Sequence, residues 1–321
     1  MQRALATSPT IPVQVFFVAQ QPGSDETTKA KLMLVLLAFA WGLSWPIMKI
    51  ALDEVGVWVM RFLGLSVGTA FLFALIKLQR RDPSIARGRP RLHVVTASVI
   101  NVVAFGMFVS FAQLAAATSR VVIVNYSMPV WSSLMAWLVL GERLDLRAGI
   151  GLVLCAGGLT ALVLPAMEAH GATGLLLALG CALSWAAGTV YMKWAKIPGD
   201  IITVTAWQLA IAAVVFAACL LLFQDMTLPT SVTWQGVLAV LYTGLIAVGL
   251  AYLLWFAIIE RLPTATASLG SLATPVIGVG SSMLMLGERP TAADLVGFAL
   301  ILAAAACVLV PGRSRPPTPD V

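Results

Sequence analysis

Residues 128–143 read MPVWSSLMAWLVLGER, and residues 274–289 read TPVIGVGSSMLMLGER. In each stretch a proline starts an apolar run that ends in Gly-Glu-Arg. Pro129 leads to Gly141-Glu142-Arg143, and Pro275 leads to Gly287-Glu288-Arg289. The two sets are offset by 146 residues (275 − 129, 287 − 141), and Gly151 and Gly297 keep that offset. Upstream, Leu43-Ser44-Trp45 is matched by Leu183-Ser184-Trp185, and Met48-Lys49 recurs as Met192-Lys193. Matching leucines and alanines would mean little in so apolar a chain, but matching Pro, Glu-Arg and Ser-Trp means more. The chain is internally duplicated.

What is duplicated follows from composition. Of 321 residues, 60% are hydrophobic and 11% charged, where a soluble domain carries about 25% charged residues. A surface so poor in charge faces lipid. A helix needs about 20 apolar residues to cross the hydrocarbon core, and ten such segments can be drawn: 32–52, 57–78, 92–114, 118–140, 146–165, 173–195, 201–223, 236–258, 264–286 and 291–311. The expected fold is an all-α polytopic membrane protein with ten transmembrane helices. Five fall in a first repeat at 32–165 and five in a second at 173–311. Residues 1–31 and 312–321, rich in proline and polar residues, are expected to be disordered cytoplasmic tails. No room is left for a sizeable soluble domain.

Five spans per repeat is an odd number, so the second repeat is expected to enter the membrane inverted. The charge distribution points the same way. With both termini cytoplasmic, sixteen of the twenty Lys and Arg residues fall inside, and Lys49, Arg61, Arg120 and Arg289 fall on or near the other side. The net charge of +6 then reflects the positive-inside bias of a membrane protein. There is no basic stripe interleaved with aromatics, so no nucleic acid is expected as a partner. The expected partners are the lipid bilayer and a small-molecule substrate, with the chain a monomer or homodimer. Inverted repeats can exchange conformations and open a central site to one side and then the other.

Several short motifs, taken in order, carry a family resemblance. They are Trp41-Gly42-Leu43-Ser44-Trp45, Arg61-Phe62-Leu63, Ala251-Tyr252-Leu253-Leu254-Trp255, and the paired Pro…Gly-Glu-Arg runs, preceded by Ala112–Ser119 and Thr264–Ser268. Residues 32–311 resemble an EamA-type transporter of the drug/metabolite transporter superfamily. That resemblance implies a ten-span inner-membrane carrier of metabolites, often an exporter of amino acids or related compounds. The second repeat departs from the first at Trp207-Gln208, where the first has Arg61, so the halves are not equivalent.

Polar and amphipathic residues at membrane depth are the substrate-binding candidates, because such groups are costly there without a partner. Trp41, Ser44 and Trp45 share one helical face at i, i+3, i+4. Ser184 and Trp185 are their counterparts in the second repeat. Asn101 lies mid-span, and Asn125 and Tyr126 lie one turn before Pro129. Together they suggest an aromatic-walled cavity for a small amphipathic solute, although packing between helices accounts for any one of them equally well. Pro129 and Pro275 are expected to break their helices and act as hinges. Arg61, one turn inside the outer end of its span, is expected to turn outward or pair with Asp53 or Glu54.

The fourteen acidic residues and both histidines lie in loops or near span ends. No titratable proton carrier is evident at mid-depth, and transport is expected to run without a proton gradient. The rival class is an intramembrane enzyme acting on a lipid or small molecule. It would need a nucleophile with a base, or a metal site, at depth, and the sequence assembles neither. No catalytic residue, metal or cofactor is expected.

Overall fold

The computed structural model describes residues 24–168, 172–223, 232–261 and 271–309. Residues 1–23 and 312–321 of the expected tails, the end of the tenth expected span at 310–311, His170 and the Thr264–Ser268 motif lie outside the described residues. Every regular element among the described residues is helical. Among the described residues eight helical stretches are long and apolar enough to cross a membrane, and Ala273–Leu286 is a shorter apolar helix.

The first helix, Ser24–Leu78, begins ahead of the expected start at 32. Its first two turns lie within the stretch expected to be a disordered tail. Neither Gly nor Pro occurs from residue 24 to 41, so nothing in the backbone stops the helix from extending toward the N-terminus. It continues through Pro46 and breaks at Gly56, whose φ of 76° and ψ of 171° suit a residue without a Cβ. Just before the break Lys49 pairs with Asp53. The Glu54 carboxylate accepts hydrogen bonds from the Thr233 hydroxyl (2.9 Å) and amide (3.2 Å).

Pro129 and Pro275 sit in first turns of helices. The stretch Thr118–Leu140 divides into Thr118–Asn125 and Met128–Leu140 around Tyr126-Ser127. Pro129 lies at the start of the second piece, where a missing N–H costs no helical bond. Pro275 is likewise in the first turn of Ala273–Leu286, after Leu272. Both helices then stop at a left-handed glycine, Gly141 (φ 69°, ψ 20°) and Gly287 (φ 69°, ψ 19°). The duplicated sequence is thus duplicated in backbone geometry.

Two helical stretches contain wide π turns, at Val99–Ala104 and Tyr242–Leu250. Such turns are often found at functional sites. Elsewhere the bundle is held by close approach. A Cβ on Gly158 would lie 3.0 Å from the Gly297 carbonyl oxygen, and one on Gly297 would lie 2.5 Å from Leu162 Cγ. Helices Leu146–Glu168 and Ala292–Leu309 therefore touch through small residues, as membrane helices do without a hydrophobic drive between them. The outer surface is apolar: Leu284 is 89% exposed and Val153 73%.

Side-chain ties sort the connections between helices into two ends. Glu54 to Thr233, Glu288 to Thr118 and Ser119, and Arg120 to Asp294 mark one end. Arg81 to Asp200 (2.7 Å) and Lys193 to Glu142 mark the other.

Candidate functional site

A cavity of about 260 Å³ lies between the segments, extending toward the end marked by Arg81 and Asp200. Asn101 and Val102, from the first π turn, form one wall. Trp185 and Met192 from Thr173–Ala195 face Ile201, Thr205, Gln208 and Leu209 from Ile201–Phe223. Tyr252 and Trp255 complete the lining. None of these side chains is charged. The cavity offers aromatic faces and a few amide and hydroxyl groups, the lining expected for a small amphipathic ligand.

Local structure aims each of these groups. Asn101 lies against Gly188, where a Cβ would come within 2.6 Å of the Asn101 Cβ. Among the described residues its buried Oδ1 has no hydrogen-bond partner, an uncommon and costly state for a buried acceptor. Trp185 packs against Phe105 with ring centroids 5.2 Å apart. Gln208 is buried, its Nε2 lying 3.1 Å from Met192 Sδ, while its backbone carbonyl accepts from Ser98 Oγ at 2.6 Å. Thr205 donates to the Ile201 carbonyl.

The residues singled out from sequence fall into two groups. Asn101 and Trp185 line the cavity. Trp41 borders it: its ring lies 6.0 Å from that of Trp255, and its Nε1 donates to the Ala247 carbonyl at 3.1 Å. Ser44 donates to the Trp41 carbonyl within its own helix. Trp45 and Tyr126 belong to a buried apolar cluster with Val122, Ile123 and Leu175, and Trp45 also lies against Gly278. Buried Asn125 accepts from the Cys181 thiol, and Ser184 donates to the Ile100 carbonyl. Tyr252, Trp255, Thr205 and Gln208 were not among the sequence candidates. A signal existed for the first two, since Tyr252 and Trp255 stand at i, i+3 on one helical face.

Arg61 departs from expectation. It neither turns outward nor pairs with a neighbouring acid, because Asp53 is bound to Lys49 and Glu54 to Thr233. It reaches into the bundle, where Nε donates to Ser110 Oγ at 2.6 Å and Nη2 lies 3.1 Å from Met48 Sδ.

At the opposite end, bonds run across the duplication. Glu288 receives the Thr118 amide at 2.6 Å on one carboxylate oxygen and the Ser119 amide at 2.8 Å on the other. Beside it Arg120 and buried Asp294 form a two-pronged pair, at 2.7 and 3.0 Å. Asp294 also accepts from the Thr291 amide. In this geometry the two repeats are tied together at one end of the bundle while the cavity extends toward the other.

The EamA-like transporter family matches residues 28–164 and again residues 172–310. The chain belongs to this family. It is a multi-pass membrane transporter and not an enzyme. An EamA relative in Bacillus subtilis, "Uncharacterized transporter YoaV", is 25% identical over 277 residues, covering 85% of this chain and 94% of its own. "Uncharacterized protein PA1977" of Pseudomonas aeruginosa is 32% identical over 288 residues, covering 87% and 96%. A protein of Escherichia coli described as "Probable amino-acid metabolite efflux pump" is 23% identical over 300 residues, covering 85% and 92%. One solved crystal structure shares the EamA chain's fold with a TM-score of 0.59 at 23% identity, covering 87% of this chain and 96% of that one.

Proposed function

We propose that this EamA transporter exports a small amphipathic metabolite, an amino acid or related compound, across the inner membrane by alternating access. The observation that carries this reading is the cavity walled by Asn101, Trp185, Tyr252 and Trp255, extending toward one end of a bundle whose other end is tied by Glu288 and Asp294. A pathway in use needs a solute-sized space and a barrier on one side of it at a time.

The topology we infer has ten spans arranged as two inverted repeats of five, in which Ser24–Leu78 crosses twice. At about 1.5 Å per residue that helix is far longer than a hydrocarbon core of about 30 Å, and Gly56 supplies its turn. The shorter apolar helix Ala273–Leu286 belongs to the ninth crossing. The six Lys and Arg residues from Lys77 to Arg91 share one connection, which under the positive-inside rule supports both termini being cytoplasmic. The cavity then opens inward, and the Glu288 end faces outward.

In this state Trp41, Asn101 and Trp185 meet the solute. Ser44, Trp45, Asn125, Tyr126 and Ser184 lie on surfaces that move past one another when the halves exchange roles, and the turns ahead of Pro129 and Pro275 are the hinges. Names of relatives support the class of cargo: two of them, in Salmonella typhimurium and Escherichia coli, are described as probable amino-acid metabolite efflux pumps. The test is counterflow in proteoliposomes loaded with each amino acid in turn. Accumulation of labelled external substrate supports the reading, and no counterflow for any amino acid, peptide or nucleoside tested overturns it.

A further inference from the structure

Every side chain lining the cavity is neutral, yet one helical turn past Val102 the bundle encloses a cation. Arg61 Cδ lies 3.7 Å from where a Cβ on Gly106 would stand, beside the buried ring of Phe216. Its recorded partners are neutral, the Ser110 hydroxyl and the Met48 thioether. Among the described residues no carboxylate is within ion-pairing distance of it, and the two acids nearest in sequence are bonded elsewhere. Elsewhere in the apolar bundle the Cys181 thiol donates to buried Asn125. Taken as a whole residue Arg61 is half-buried.

An arginine directed inward at membrane depth without an anion is costly, and such residues mark ligand or ion paths. The guanidinium has five N–H donors in a plane that matches a carboxylate. Ser110 orients it through Nε, leaving Nη donors available. By contrast, the other inward-facing arginine of the bundle, Arg120, is fully engaged by Asp294.

We propose that Arg61 is the anchor for the anionic group of the solute, so that this carrier selects carboxylate-bearing compounds. The body of the solute lies among Trp185, Tyr252 and Trp255, and its carboxylate pairs with Arg61 beyond Val102. The second repeat has no equivalent cation, because Trp207-Gln208 stands at the corresponding place. One guanidinium therefore serves both directions of access. This assignment rests on the cavity being the solute site.

The test uses the full-length protein in lipid nanodiscs, with binding read by isothermal titration calorimetry. The probes are L-leucine and L-phenylalanine and, for each, the corresponding amide, which keeps size and ammonium group but lacks the anion. Wild-type protein is expected to bind the acids at least about tenfold more tightly than the amides, the scale of one charge-assisted hydrogen bond. In Arg61→Gln this preference falls to within about twofold, while amide binding stays near the wild-type level. Arg61→Lys, which keeps the charge as a point donor, retains part of the preference and decides the matter if the glutamine variant does not fold. Equal binding of acids and amides by the wild type, or an undiminished preference in both variants, overturns the role of Arg61. In that case Trp185→Ala still weakening all four probes would leave the cavity reading standing. If no acid binds the wild type, the anchor falls along with the cavity.

Discussion

Removing the Glu288 carboxylate should loosen the closed end of the bundle, and the size of the effect can be worked from its contacts. Helix Thr118–Asn125 has Ala117 at its N-cap, which offers no side-chain acceptor. The carboxylate that caps it comes from the other matched segment, at 2.6 and 2.8 Å. Thr118 and Ser119 are both buried, so water is a poor substitute once the carboxylate is gone. Hydrogen bonds to charged groups contribute about 1.5–3 kcal/mol each. Glu288 itself is partly exposed, which favours the lower figure and gives about 3 kcal/mol for the pair. At about 1.4 kcal/mol per factor of ten, Glu288→Ala shifts the ratio of closed to open end by about a hundredfold.

The assay is pulsed electron spin resonance between labels at Ala117→Cys and Arg289→Cys, both exposed and on opposite sides of the tie, with the four native cysteines replaced. A distribution that is about 99% short in the parent becomes close to evenly divided in Glu288→Ala. Glu288→Gln, keeping one acceptor without charge, falls between. An unchanged distribution in the alanine variant would show that the carboxylate does not hold this end closed.

The remaining predictions separate cavity, packing, topology and coupling. Trp185→Ala removes a cavity wall and should abolish most counterflow with little loss of expression. Trp45→Ala removes a 6% exposed ring from the core, costs about 3–5 kcal/mol, and should show first as a lower melting temperature in detergent. Gly297→Val forces a branched side chain against Leu162 and should destabilise by about 1–3 kcal/mol. Gly149→Ala, where a Cβ meets nothing within 4 Å, should be neutral or stabilising by up to about 1 kcal/mol; equal melting of the two variants would refute the close-approach reading. Reporter fusions after Arg89 and after Arg315 should both read as cytoplasmic, and a periplasmic signal at Arg315 would overturn the ten-span topology. Downhill transport should proceed without a pH gradient, and proton flux stoichiometric with substrate would point instead to Glu142 or Glu288.

Class, approximate spans and duplication were legible along the chain because each is a one-dimensional property. A bilayer accepts a crossing segment only if its backbone bonds are satisfied internally, so apolar runs of the right length declare themselves as helices. The paired Pro…Gly-Glu-Arg runs announced two helices that start and stop alike, and Gly141 and Gly287 end them with almost the same dihedral angles. What the order of residues could not decide was direction around each helix. Helices such as Ile201–Phe223 are apolar over most of their surface, and a few polar residues such as Thr203, Thr205 and Gln208 do not by themselves tell lipid face from bundle face. Only the packed structure put Gln208, Tyr252 and Trp255 beside Trp185 and sent Trp45 into the core instead. It also turned Arg61 inward, because Asp53 and Glu54 were already occupied by Lys49 and by Thr233, the latter 179 residues away in sequence. Glu288 became the cap of a helix 170 residues away for the same reason. A bare helix end and a carboxylate satisfy each other wherever the fold brings them together, and local sequence does not record that meeting.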